Sequence, residues 1–154
     1  MTLAIDIEDE AWEMIPGLTR LAEEAVAAAL QGRDMTGAVT LLFTTDAEMQ
    51  ELNRQWRGKD RPTNVLSFPA PGGMPVPAGE TPPLGDIALA CQTVAREAAE
   101  QGKTVADHTS HLIVHGMLHL LGYDHEEDGE AEEMENEERM ILARLGIADP
   151  YTTS

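Results

Sequence analysis

Cysteine, aromatic rings, positive charge and long apolar runs are all scarce in this sequence. Cys91 is the only cysteine among 154 residues, so no intrachain disulfide can form and no thiolate cluster can bind a metal. That usage fits a reducing cytosol better than secretion. Any metal site must therefore rest on histidine and carboxylates. Two Trp, two Tyr and two Phe are the whole aromatic complement, and no base-stacking platform is visible in their spacing. No segment approaches the roughly 18 apolar residues of a membrane helix. The first ten residues carry acids where a signal peptide needs a basic start. The expectation is a soluble, cytoplasmic protein with no membrane contact. At this length one domain over residues 1–154 can bury a core unaided.

Positive charge is the scarcest commodity: 10 Lys and Arg face 28 Asp and Glu, a net charge of −18 whose field repels polyanions. The distribution qualifies the sum. Residues 126–138, EEDGEAEEMENEE, hold nine acids and no base. They read as solvated surface, away from any metal cleft except near His125. Arg54, Arg57, Lys59 and Arg61, by contrast, share eight residues with one acid, Asp60, for a local +3 that can face a nucleic-acid backbone.

Periodicity supplies the elements. Leu3, Ile5 and Ile7 alternate as a strand, and Leu18, Leu21, Ala25, Val26, Ala29 and Leu30 recur at helical spacing before Gly32. Residues 38–44 (AVTLLFT) read as a second strand. Thr45 with Glu48 forms a capping box opening a helix that carries Met49, Leu52 and Trp56 on one face and stops near Gly58. A polar loop over 57–64 leads to a short strand, 65–68, closed by Pro69. Residues 69–85, rich in proline and glycine, read as a surface excursion. A strand resumes over 85–90, and helices follow over 93–101 and 105–121, the second capped by Thr104 with Asp107. A last helix turns Met134, Ile141, Leu142 and Leu145 inward. The class is α/β (α+β): a small mixed sheet of four strands with about five helices, covered by helices on one side.

Histidine carries the strongest signal. Four of the five histidines fall between His108 and His119, and His125 follows. His115 and His119 are four apart, one helical turn, so both imidazoles can point at one metal ion. His111 is in phase as well, but three ligands at i, i+4 and i+8 spread over about 12 Å of helix and cannot converge on bonds of about 2 Å. Gly122 offers another route, ending the helix so that His125 can turn back beside the first two. His111 is left to support the ligands, and His108 to hydrogen bonding in the core. The spelling H-G-M-L-H-L-L-G-Y-D-H repeats the metzincin zinc spacing with Gly116 in place of the glutamate base. Three protein ligands leave a fourth position for water, the arrangement of a catalytic zinc.

HLIVHGMLHLLGYDH at 111–125, LNRQWRGKDRPTNVLSFP at 52–69 and LGDIAL at 84–89 together resemble the YbeY family of ribosomal-RNA maturation endoribonucleases. The blocks occur in the same order and span residues 52–125, just under half of the chain. The resemblance implies a compact α/β fold and one zinc ion on His115, His119 and His125. It puts the family's functional arginine on Arg57, so that Arg57 and His115 are the catalytic candidates. Asn64 stands where many members carry Asp. The implied activity is zinc-dependent, single-strand-specific cleavage in 3′-end maturation of small-subunit (16S) ribosomal RNA and in ribosome quality control. The implied partners are single-stranded ribosomal RNA and the small subunit with its assembly proteins, with no DNA and no membrane. A zinc-stabilised assembly factor without catalysis, favoured by the −18 charge, is the second reading. A metallo-amidase or peptidase, opposed by Gly116, is the third.

Overall fold

The computed structural model describes residues 2–32, 37–59, 63–69, 83–123 and 128–150. Strand β1 (Thr2–Ile7) lies parallel to β2 (Ala38–Thr44), which lies parallel to β4 (Pro83–Ala90); β3 (Val65–Pro69) closes the sheet antiparallel to β4, giving the order β1-β2-β4-β3. Among the described residues five helices accompany it: α1 (Leu18–Leu30), α2 (Asp46–Arg57), α3 (Cys91–Gln101), α4 (Val105–Leu120) and α5 (Asp128–Arg144). The expected four-stranded mixed sheet with five helices is thus what forms.

Strand alternation sorts the side chains between two faces. Val39, Leu41 and Phe43 of β2 align with Ile87 and Leu89 of β4 and are fully or almost fully buried in the main core with α1, α4 and α5. The other face is not bare, as the expectation of one-sided cover would have it. Met49 and Leu52 of α2 pack there against Leu42, Leu66, Phe68 and Ala88 in a second, smaller cluster. The reason is the residue set: Leu66 and Ala88 are apolar on this face as well, and they need a partner.

Both caps form as expected. Thr45 Oγ1 accepts from Glu48 N at 3.2 Å, and Thr104 Oγ1 accepts from Asp107 N at 3.1 Å. Two features escaped the periodicity. A 3₁₀ turn at Glu10–Met14 buries Trp12, whose Nε1 donates to Thr44 O at 2.9 Å. Trp56, expected on the apolar face with Met49, is instead 68% exposed. It sits in the last turn of α2, beside the edge strand, where it meets only the rim of the second cluster.

α4 runs through the middle of the molecule. Leu112, Ile113, Val114, Gly116, Met117, Leu118 and Leu120 are buried along it, so beyond its first turn the stripe His111, His115, His119 is the part that reaches the surface. Gly116 lets the helix approach the sheet closely. A Cβ there would lie 3.0 Å from Ile87 Cγ2 and 3.1 Å from Ser67 Oγ. Gly85 does the same for the β3–β4 crossing: its φ is +151°, and a Cβ would meet Phe68 O at 2.5 Å.

Candidate metal centre

His115 and His119 are brought together as their spacing requires. Their Nε2 atoms lie 3.1 Å apart, with the rings at 81° and centroids 4.7 Å apart. Two nitrogens bound to one tetrahedral zinc stand about 3.3 Å apart, given bonds of 2.0–2.1 Å. The pair therefore fits a shared cation.

Glu138 sets the orientation. Its side chain is completely buried, yet it belongs to the acidic run that the sequence suggests is solvated surface. Oε1 contacts His115 Nδ1, and Oε2 lies 3.2 Å from His111 Nε2. An ionised carboxylate only accepts, so the proton sits on His115 Nδ1 and the Nε2 lone pair is left facing His119. This is the carboxylate–histidine arrangement that orients metal-binding imidazoles and raises their basicity. His111 Nε2 is turned to the same carboxylate and not to the converging pair, which fits the supporting role expected for it.

The expectation that distal acids of 126–138 lie away from this centre is corrected at Glu138. Its position was readable: 134, 138, 141 and 142 share one helical face, and Met134, Ile141 and Leu142 are all buried. A lone carboxylate within an apolar stripe is costly unless it has partners, and here the partners are the two histidines.

His108 behaves as a core histidine. It is 3% exposed, its Nε2 lies 2.9 Å from Glu97 Oε1, and burial pulls its pKa below 6.5 against the opposing pull of Glu97. Glu97 Oε1 also accepts from Asn64 Nδ2 at 3.0 Å. An amide at position 64 supplies a donor to that carboxylate; an aspartate would set two acids against each other. Asn64, Glu97, His108, His111 and His115 line one cleft of about 890 Å³, with Lys103 on its wall.

Beyond the histidine pair, the chain turns as Gly122 suggests. Tyr123 N donates to Leu118 O at 2.9 Å and Gly122 N to His119 O at 3.1 Å, while Gly122 takes φ +101°. These are the paired bonds of a Schellman helix end. His125 itself lies outside the described residues, as does Arg61, and the side chain of Arg57 is likewise outside them. Among the described residues no three potential ligands form a metal-binding group. Arg54 is tied to Glu51 on its own helix, which reduces the free charge of the basic cluster.

The family model described as Endoribonuclease YbeY matches residues 5–146. The chain belongs to the YbeY endoribonuclease family. Curated YbeY endoribonucleases of Rhodospirillum rubrum and Azorhizobium caulinodans are similar to it. The first is 52% identical, over 97% of this chain and 80% of its own length; the second is 49% identical, over 98% and 96%. A YbeY endoribonuclease of Chelativorans is 54% identical over 91% of this chain and 86% of its own. A solution structure from Thermotoga maritima superposes with a TM-score of 0.56 at 26% identity, covering 99% of this chain and 100% of that one. YbeY membership makes the chain an RNA-cutting hydrolase. Among the described residues no helix is long and apolar enough to cross a membrane.

Proposed function

We propose that the chain is a single-domain, cytoplasmic, single-strand-specific endoribonuclease that holds one zinc ion through His115, His119 and His125. Its task on this reading is 3′-end maturation of small-subunit ribosomal RNA and ribosome quality control, with the small subunit and its assembly proteins as partners. The observation that carries the reading is the 3.1 Å approach of His115 Nε2 to His119 Nε2, with His115 held from behind by a buried carboxylate.

Each residue has a separate task. Glu138 keeps the proton on His115 Nδ1 and so turns the Nε2 lone pair toward the metal position beside His119. His111 braces the second oxygen of Glu138. Arg57 offers a planar fork that can grip two oxygens of a phosphodiester as charge grows on them. A metal ion bound to the three histidines supplies Lewis acidity toward water and phosphoryl oxygen. Gly116 leaves no side-chain base at the position where zinc proteases carry glutamate, and the tight fit against Ile87 and Ser67 leaves no room for one.

Zinc-replete protein incubated with labelled single-stranded RNA, duplex RNA and casein tests the proposal. Cleavage of the single strand alone, lost on chelation and restored by zinc, is the expected result. Zinc-replete protein that binds small subunits without cutting any RNA would replace this reading with the assembly-factor one. Casein cleavage would favour a peptidase.

A further inference from the structure

We propose that Trp56, backed by Phe68, is a base-stacking platform that holds single-stranded RNA beside the histidine centre. The proposal rests on the RNA-cutting reading above and adds a binding element to it.

The two tryptophans differ in environment. Trp12 is 1% exposed and hydrogen-bonded, a core residue; Trp56 is 68% exposed, the most exposed of the large hydrophobic side chains described. Its indole is held in place nonetheless. Phe68 meets it edge-on, with centroids 6.4 Å apart and planes at 65°. Phe68 in turn packs on the small cluster with Leu42, Leu52 and Leu66. An aromatic ring held from one side and open on the other can take a nucleobase with little further ordering.

Its location ties it to the centre. Phe68 lies on β3, the edge strand, and the neighbouring Ser67 turns to the opposite face, where its Oγ donates to Gly116 O at 3.3 Å. Gly116 directly follows His115. The platform and the histidines thus flank a single edge strand. A polynucleotide with one phosphate at the histidines meets the indole on crossing that edge.

Charge favours a base on this surface over a phosphate. Asp86, exposed, stands directly across from Phe68 in the β3–β4 register, so an anion on the ring pair is repelled. Exposed Lys59 lies just beyond the α2 end. It can take a flanking phosphate while the uncharged base stacks.

Binding of a fluorescent 2′-O-methyl oligouridylate and of an abasic oligomer of the same backbone, followed by anisotropy across salt concentrations, tests the platform. Trp56→Ala should bind the oligouridylate about 5- to 150-fold more weakly, the span expected for loss of one stacked base. Trp56→Phe should recover most of that loss, and the abasic oligomer should bind wild type as weakly as the alanine variant binds the oligouridylate. The slope of log affinity against log salt should be the same for wild type and Trp56→Ala, since no phosphate contact is removed. Intrinsic emission of the wild type should be quenched on binding, through Trp56 and not the buried Trp12. Equal affinity of wild type and Trp56→Ala would overturn the platform and leave the nuclease reading intact. Failure of wild type to bind any single strand would overturn both. Retained oligomer affinity with lost small-subunit association would make the surface a protein-docking site and overturn the proposal.

Discussion

Glu138 Oε2 lies 3.2 Å from His111 Nε2 while the other oxygen of the same carboxylate contacts His115 Nδ1. One fully buried acid on α5 therefore holds two imidazoles, spaced one turn apart on α4, in fixed orientation. α5 is thus part of the centre although none of the expected metal ligands lies on it.

Replacing Glu138 should weaken the centre without touching a proposed ligand. Loss of a hydrogen-bonding partner behind a metal-bound histidine lowers metal affinity about 10- to 100-fold. Glu138→Ala should show that loss in a chelator-competition titration and also melt at lower temperature, because it leaves a void between α4 and α5. Glu138→Gln keeps the volume, so its melting temperature should fall less while the affinity loss persists. Unaltered zinc affinity in both variants would reduce Glu138 to a packing residue.

His115→Ala and His111→Ala should separate ligand from support. With Nε2 of His115 gone, two imidazoles remain and zinc should be lost from the purified protein. His111→Ala should retain about one equivalent, because its Nε2 is directed at Glu138. The reverse pattern in metal analysis would exchange the two assignments.

Local rules recovered most of the architecture. The alternation of β1 and β2, the helical spacing of α1 and the caps at Thr45 and Thr104 depend on neighbours in sequence, and they are legible there. The His115–His119 pair is legible for the same reason, since one turn of helix fixes it. Glu97 and Trp56 are not, because their roles depend on contacts between elements far apart in the chain. The buried face of Glu138 is legible from Met134, Ile141 and Leu142, but its histidine partners on α4 are not. Glu97 finds Asn64 and His108 from 33 and 11 residues away. Trp56 has the right spacing for a core face and stays exposed because α2 ends beside an edge strand.

Gly116→Ala should destabilise the protein even though alanine is the better helix former by about 1 kcal/mol. The added methyl meets Ile87, which is completely buried and cannot give way, and Ser67 Oγ. Overpacking of this kind costs about 1–3 kcal/mol. The helical gain offsets part of it, so a fall of a few degrees in the melting temperature is expected. An increase would mean that the α4–sheet contact has slack.

His108 should make stability fall on acidification. Burial holds its pKa below 6.5 in the folded chain, with Lys103 and His111 acting in the same direction and Glu97 opposing. Below 6.5 the unfolded chain takes a proton at this residue and the folded chain resists it. The unfolded state then binds more protons, and stability rises with pH across that window. Melting temperatures of metal-free wild type and His108→Gln, followed between about pH 5 and 8, isolate the effect. The wild type should lose more than the variant as pH drops below 6.5. Parallel curves would show that His108 does not titrate differently on folding.

The charge balance yields the last prediction, because the net −18 opposes RNA and only its arrangement permits binding. Glu132 and Glu133 on α5 are exposed, whereas Glu138 faces the histidines. Charges beyond a Debye length of about 8 Å are largely screened at physiological ionic strength. Changing the exposed Glu132 to Gln should therefore alter single-strand cleavage only modestly. Arg54 is already shared with Glu51, so its removal should matter less than loss of Lys59 or Arg61. Arg57→Lys should keep the fold and the zinc yet lose most cleavage, since an ammonium offers a point charge where a planar fork is needed. Replacing Arg57, Lys59 and Arg61 together should abolish binding, and in the wild type each phosphate contacted should add about −0.7 to the log–log salt slope. Salt-independent binding in the wild type, or full turnover in Arg57→Lys, would show that RNA is held by something other than this loop.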